Sequence, residues 1–162
     1  MVKNCEIKGI SFMDLDTALL KFWREFGDHR LMVLSTSLQD VVTSRMISAA
    51  AIDRKLFFQT DTGSRKYAQL KENPHAALCI DNIQIEGICR ETGHPAEDPA
   101  FCELYKKSFP GSYDRYTNLQ SERLFCLEPA FIERWVYIDG KPYVEKFDLL
   151  AGEYSLTEYC AE

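Results

Sequence analysis

Three apolar runs follow Gly27 in close succession, RLMVLSTS, VVTSRMISAAAI and KLFFQT, separated only by the polar breaks LQD and DR. Val, Ile, Thr and Phe recur in them, side chains that suit a pleated, half-buried surface. Breaks this short accommodate hairpin turns, so the runs predict three antiparallel strands in a meander. KLFFQT then gives way to the polar turn DTGS and a short helical segment from about Arg65 to Lys71. That segment must stop before Asn73-Pro74, because proline lacks an N–H and restricts the residue ahead of it. HAALCI restarts the sheet.

The flanking sequence fits the same plan. Leu15, Ala18, Leu19, Phe22, Trp23 and Phe26 recur at helical spacing behind Ser11 and Asp14, so an amphipathic helix with a polar cap is expected first. Ile83, Ile85, Gly87 and Cys89 alternate with Gln84, Glu86, Ile88 and Arg90, as on a barrel wall. In AEDPAFCELYKKSFPG, Phe101, Leu104 and Tyr105 share a helical side, and Pro110-Gly111 is expected to end that helix. RLFCLEP, AFIERWVYIDG and KPYVEKF complete the sheet, with Asp139-Gly140 as a hairpin turn. About six strands and three helices predict a mainly β (α+β) fold, a six-stranded antiparallel split β-barrel with peripheral helices, in one domain spanning residues 1–162. The tail after Phe147 is expected to wrap the surface or a partner.

Composition narrows the function. Nineteen Lys and Arg against 25 Asp and Glu leave a net charge of −6, which argues against a broad basic footprint for nucleic acid. The opening MVKNCEIKGISFMD holds no apolar stretch long enough for a signal peptide, and no segment approaches a membrane span, so a cytoplasmic location is expected. The six cysteines form no CxxC pair and the three histidines add no zinc spacing, so no metal site is expected. Cys79 and Cys89 fall in strand-like runs and read as buried small apolar residues. His29, His75 and His94 show no catalytic context. Tyr113, Tyr116 and Trp135 read as packing residues.

The junction after KLFFQT carries the chemistry. Ser64, Arg65 and Lys66 sit where a strand turns into a helix, and a helix start presents free N–H groups and a positive dipole end. Cations there are locally disfavoured; a bound phosphate would reverse the electrostatics and give them a purpose. The plainer reading is a capped helix with solvated charges.

Taken with SRMIS on the preceding strand, the series SRMISAAAIDRKLFFQTDTGSRKYAQLKENPHAALCI resembles the FMN-binding split-barrel family typified by pyridoxamine 5′-phosphate oxidase. The resemblance covers roughly Arg30 to Glu91, and WVYIDGKPY is similar to the last hairpin of short members. It implies FMN as cofactor, with Arg45, Met46, Ile47 and Ser48 lining the flavin and Gln59 and Thr60 beneath it. Ser64, Arg65 and Lys66 would hold the phosphate and ring edge, Arg45 adding a bidentate phosphate contact. Asn82 stands where family members carry a flavin-contacting Gln. The resemblance also implies a homodimer, with the second wall of the flavin site on the twin subunit.

Pyridoxamine 5′-phosphate oxidases carry Trp, Arg and His in a final segment that recognises the phosphorylated substrate. Here VEKFDLLAGEYSLTEYCAE has neither Arg nor His, so the vitamin B6 oxidase role is not expected. An FMN-dependent oxidoreductase acting on a small molecule or electron acceptor with NAD(P)H is one reading. A flavin-binding or stress-related binding module without turnover is the other.

Overall fold

The computed structural model describes residues 13–160. Helix α1 (Leu15–Phe26) is capped by Asp14, whose carboxylate accepts from the Thr17 N–H at 2.9 Å, while Ser11 lies outside the described residues. The apolar stripe faces inward, with Ala18, Leu19, Phe22 and Phe26 buried. The meander follows as β1 (His29–Leu38), β2 (Val41–Ile52) and β3 (Lys55–Asp61), all antiparallel. Its turns are of the primed kind that matches strand twist. Both central residues are left-handed in each, Gln39-Asp40 with φ of 51° and 61° and Asp53-Arg54 with 49° and 62°.

Helix α2 (Arg65–Glu72) leads into β4 (His75–Ile80) and β5 (Ile83–Gly93). A single 3-10 turn at Pro95–Glu97, then α3 (Pro99–Ser108) and α4 (Pro110–Tyr116), precede β6 (Glu122–Ile138), β7 (Lys141–Asp148) and β8 (Glu153–Glu158). The sheet runs β3-β2-β1-β4-β5-β6-β7-β8, and β3 also pairs with β6. That extra pairing closes six strands into an antiparallel barrel, leaving β7 and β8 as an extension beyond β6. The split-barrel expectation therefore holds.

Three details differ from the sequence reading. RLFCLEP and AFIERWVYI are one strand, β6, because Pro129 sits at a register shift between Glu86 and Gly87 of β5, where a missing ladder donor is tolerated. Helix α3 ends at Ser108, just before Pro110 as expected, but Pro110 then opens a further helix, α4, that was not anticipated, its absent N–H costing nothing in the first turn. The tail beyond Phe147 is a paired strand, from Phe147↔Tyr154 to Tyr143↔Glu158. The Asp139-Gly140 hairpin is as expected, with φ of 51° and 78°.

Period-2 alternation sorts the side chains into two cores. Inside the barrel, Met32, Leu34, Ile47, Leu56, Phe58, Leu78, Ile85, Phe125 and Leu127 pack with Phe22 and Phe26 of α1. On the outer face of β2, β3 and β6, Ala50 and Leu124 are covered by Phe101 and Tyr105 of α3. Cys89 is buried, but Cys79 is exposed, because its side chain stands on the uncovered outer face with Val33.

Candidate functional site

The end of β3, the turn after it and the start of α2 are locked by local hydrogen bonds. Asp61 accepts from the Gly63 N–H at 2.6 Å and from the Ser121 hydroxyl, and its carbonyl accepts from the Ser64 N–H at 3.0 Å. Ser64 is the N-cap of α2: its oxygen accepts from the Tyr67 N–H at 3.3 Å and meets the Thr60 hydroxyl at 2.9 Å. The first turn of α2 contains Arg65 and Lys66 and no acidic residue. Strand β3 thus delivers Thr60, the turn delivers Ser64, and the helix start delivers two cations.

Arg45 reaches the same region from inside the barrel. It is the register partner of buried Leu34, and its guanidinium donates to the Leu34 carbonyl at 3.3 Å, to Thr36 at 2.7 Å, to Thr43 at 2.5 Å and to Gln69 at 2.9 Å. All these acceptors are neutral. Burial lowers the Arg45 pKa and Arg65 lowers it further; burial likewise lowers that of Lys66, and Arg45 adds to this while Glu122 and Asp61 oppose it. Arg45 therefore stands between two like charges, opposed by Arg65 and itself opposing Lys66. Among the described residues, no ion pair within 4.0 Å involves Arg45, Arg65 or Lys66. Arg45 and Lys66 are partly desolvated cations that oppose each other, Lys66 at a helix start, an arrangement that an anion would relieve.

The other residues singled out in the sequence disperse. Alternation along β2 sends Arg45 and Ile47 inward and Met46 and Ser48 outward. Ile47 is buried in the main core, and Met46 is 59% exposed. Gln59, also buried, accepts from Thr117 at 2.9 Å and donates to the Ser112 carbonyl at 3.5 Å, pinning α4 to the sheet. Asn82 lies on the β4–β5 turn and donates to the Trp135 carbonyl on β6. Arg45, Thr60, Ser64, Arg65 and Lys66 are the set the fold brings together.

Four further residues belong to this site. Thr36, Thr43 and Gln69 hold the Arg45 guanidinium, and Thr43 could have been read from its position two residues before Arg45 on the same strand face. Gln69 carried a weaker signal, a polar residue on the same helical side as Arg65 and Lys66. Glu122, the first residue of β6, gave none: it is far along the chain and reaches the site only because Asp61 is its register partner. It is 4% exposed, and burial together with Asp61 raises its pKa to about 7 against the opposing effects of Lys66 and His94.

The Glu122 shift carries a stability prediction. Because the folded pKa is raised, its contribution is fully present below about pH 4.5 and is lost as pH rises to about 7. At about 1.4 kcal/mol per pH unit the total is on the order of 3–4 kcal/mol. Glu122→Gln should remove this decline, leaving a chain more stable than the native one at pH 8. Urea midpoints from pH 4.5 to 8 provide the measurement; parallel curves for the two proteins would rule it out.

Among the described residues there is no cluster of metal-ligating side chains, and no helix is long and apolar enough to cross a membrane. The described residues thus form a closed six-stranded barrel with a cationic strand-to-helix junction. The chain belongs to the pyridoxamine 5′-phosphate oxidase family, whose profile matches residues 16–136. Comparison with curated proteins found no match. Among solved structures, PhzG from Burkholderia lata, in complex with tetrahydrophenazine-1-carboxylic acid, aligns with a TM-score of 0.62 at 17% identity, covering 94% of this chain and 98% of its own. A pyridoxamine 5′-phosphate oxidase-related, FMN-binding protein from Nostoc punctiforme aligns with a TM-score of 0.58 at 15% identity over 82% and 87%. General stress protein 26 from Bacillus anthracis follows with 0.52 at 22% identity over 66% and 84%. At such identities these likenesses speak to the fold.

Proposed function

We propose that the chain binds FMN and acts as an FMN-dependent oxidoreductase on a small molecule, with NAD(P)H as electron donor. The observation that carries the reading is the cationic junction: beside a Ser64-capped helix start, Arg65 opposes the charge of Arg45 and Arg45 that of Lys66, and among the described residues none of the three has a carboxylate ion pair within 4.0 Å. The donor set suits a phosphate monoester. Lys66 supplies a mobile charge, Thr60 and Ser64 supply hydroxyls, and the first turn of α2 supplies free N–H groups. The four terminal donors of Arg45 are already committed to protein oxygens, so it contributes its charge rather than a two-pronged contact. Bound FMN supplies hydride transfer at its ring. The residues of this chain bind and orient it: the backbone of β2 from Arg45 to Ser48 offers an edge for the ring, with exposed Met46 beside it.

A homodimer is part of this proposal. Leu31, Val42 and Met46 are 56%, 68% and 59% exposed on the outer face of β1 and β2, an apolar surface that a second copy would cover. The register puts Met46 beside Val33 and Leu31 beside Ser48, so this surface adjoins the proposed ring edge. Sedimentation of the flavin-bound protein should give a species of twice the chain mass; a monomer alone would overturn this part.

A non-catalytic flavin-binding or stress-related module is the second reading, favoured by the fold likeness to general stress protein 26. One experiment separates them. Purified protein should be yellow, bleach on addition of NADH or NADPH, and recover in air. A yellow protein inert to both nicotinamides would select the module, and a protein with no flavin affinity would overturn both.

A further inference from the structure

Away from the cationic junction, the outer face of β1, β4 and β5 carries a groove of about 570 Å³. The pleat explains why a hollow forms there. Ser35, Ala77 and Glu86 stand in one cross-strand row, through the registers Ser35↔Ala77 and Ala77↔Glu86. Two small side chains beside a long one leave the floor of that row low. The neighbouring row supplies apolar walls, Val42 opposite Ser37 and Ile88 opposite His75. At β6 the register passes from Glu86↔Phe131 to Gly87↔Pro129, so Ala130 is an extra residue on the groove's far border, and a bulge of this kind bends its strand locally. A volume of this size is that of a small-molecule site.

The charges around the groove are one-sided. No lysine or arginine lines it, and Glu86 is its carboxylate. The Gln84 amide donates to Glu86 Oε1 at 2.6 Å, which holds the carboxylate in place. Its cross-strand neighbours, Ala77 and Phe131, offer it no side-chain donor. The glutamates on either side differ. Glu128, the register partner of Ile88, pairs with Lys55 at 3.0 Å and Arg90 at 3.5 Å, and Glu133, the register partner of Gln84, pairs with Lys146 at 3.4 Å. Among the described residues Glu86 has no ion pair within 4.0 Å. The nearby cations are committed to its neighbours, and the groove keeps an oriented, unneutralised carboxylate beside apolar walls.

We propose that this groove binds a small organic cation, its ammonium head against Glu86 and its apolar body over Ala77, between Val42 and Ile88. The charge complementarity selects the class. A carboxylate or phosphate ligand would meet Glu86 with no lining cation to offset the repulsion, and a neutral one would forgo the attraction. His75 adds a ring that can make one further hydrogen bond. The site stands apart from the FMN reading, since it needs neither the flavin nor Lys66.

The test compares three probes that share one body and differ in charge: benzylamine, benzyl alcohol and benzoate. Each is titrated into the full-length ¹⁵N-labelled protein at pH 7.5 without FMN, and the amide shifts are followed by NMR. Benzylamine should shift the amides of Ser35, Ala77 and Glu86, and should bind up to roughly fivefold more tightly than benzyl alcohol, the scale of one solvent-accessible ion pair. Benzoate should bind most weakly, and the preference for the amine should shrink in about 0.5 M salt, where the screening length is a few ångströms. Glu86→Gln, an exposed substitution of nearly equal shape, should bring benzylamine down to the level of benzyl alcohol and leave the alcohol unchanged. Ala77→Leu, which raises the floor, should weaken both; should it fail to fold, Glu86→Gln and the amide map suffice. Equal affinity for all three probes, an amine preference that survives Glu86→Gln, or shifts confined to other parts of the chain would overturn the proposal. So would the absence of any shift up to about 10 mM probe, the result expected if a second copy fills the groove.

Discussion

Gly87→Ala should cost roughly 3 kcal/mol or more, enough to leave little folded protein in a domain whose net stability is of order 5–15 kcal/mol. A Cβ built on Gly87 would lie 2.2 Å from the Glu128 carbonyl oxygen, 2.9 Å from its carbon and 3.0 Å from a Leu127 methyl. The obstacle is backbone, which cannot swing aside as a side-chain tip can. Moving it means shifting β6 at the point where the register passes from Glu86↔Phe131 to Gly87↔Pro129. Pro129 has a fixed φ, which removes one way for the partner strand to yield.

The damage would not stay local. Ile85 and Cys89 on β5, and Leu127 and Ile132 on β6, flank this contact and belong to the main core. Separating the strands there opens the barrel wall, whereas an ordinary overpacked side chain typically costs 1–3 kcal/mol. Gly111→Ala is the matched control: it lies in α4 and a Cβ there meets nothing within 4 Å. Alanine at that helical position should be neutral or stabilise by up to about 1 kcal/mol. Urea midpoints of both variants decide the matter, and a Gly87→Ala midpoint equal to native would refute the close-packing account.

The barrel was legible because its wall obeys local rules. Short breaks at Gln39-Asp40 and Asp53-Arg54 allow only hairpins, and the alternation from Ile83 to Arg90 reports an inner and an outer face directly. Closure was not legible in this way. The β3–β6 pairing joins Leu56 to Leu127 and Asp61 to Glu122, and no periodicity encodes which distant strand becomes a neighbour. The misreadings have the same origin. Pro129 looks like a terminator to a local rule, yet it sits at a bulge, and Pro110, which does mark the end of α3, also opens α4; both outcomes are set by the packing around them. The strand β8 was missed because only alternate residues are half-buried, on a sheet edge with little apolar signal.

The site divides along the same line. Ser64, Arg65 and Lys66 could be read as a unit because they are adjacent and their charge conflicts with the helix start. Arg45 could be read from resemblance and Thr43 from its place on the same strand face, but the acceptors Leu34 and Thr36 could not, since they come from the neighbouring strand β1, and Gln69 of α2 left only a weak signal. The resemblance implied that Arg45 to Ser48 line the ligand with backbone and side chain, and the pleat limits which side chains can take part. It sends the Ile47 side chain into the core, so Ile47 could meet a ligand only through its backbone.

Lys66→Ala should weaken FMN at least about tenfold, because a charge-assisted contact to phosphate is worth roughly 1.5–3 kcal/mol. Riboflavin, which lacks the phosphate, should bind both proteins alike, and more weakly than FMN binds the native chain. The ligand-free protein provides an independent readout. Burial, with Arg45 adding to it, lowers the Lys66 pKa, so the charge is held at a cost that Glu122 and Asp61 only partly offset. Removing it should leave the melting temperature of the empty protein unchanged or slightly higher, while the rise produced by saturating FMN shrinks. A lysine serving only the fold would do the reverse, lowering the empty protein's stability and leaving the FMN increment intact. Equal loss of FMN and riboflavin affinity would place Lys66 at the ring rather than the phosphate, and no loss of either would remove it from the site.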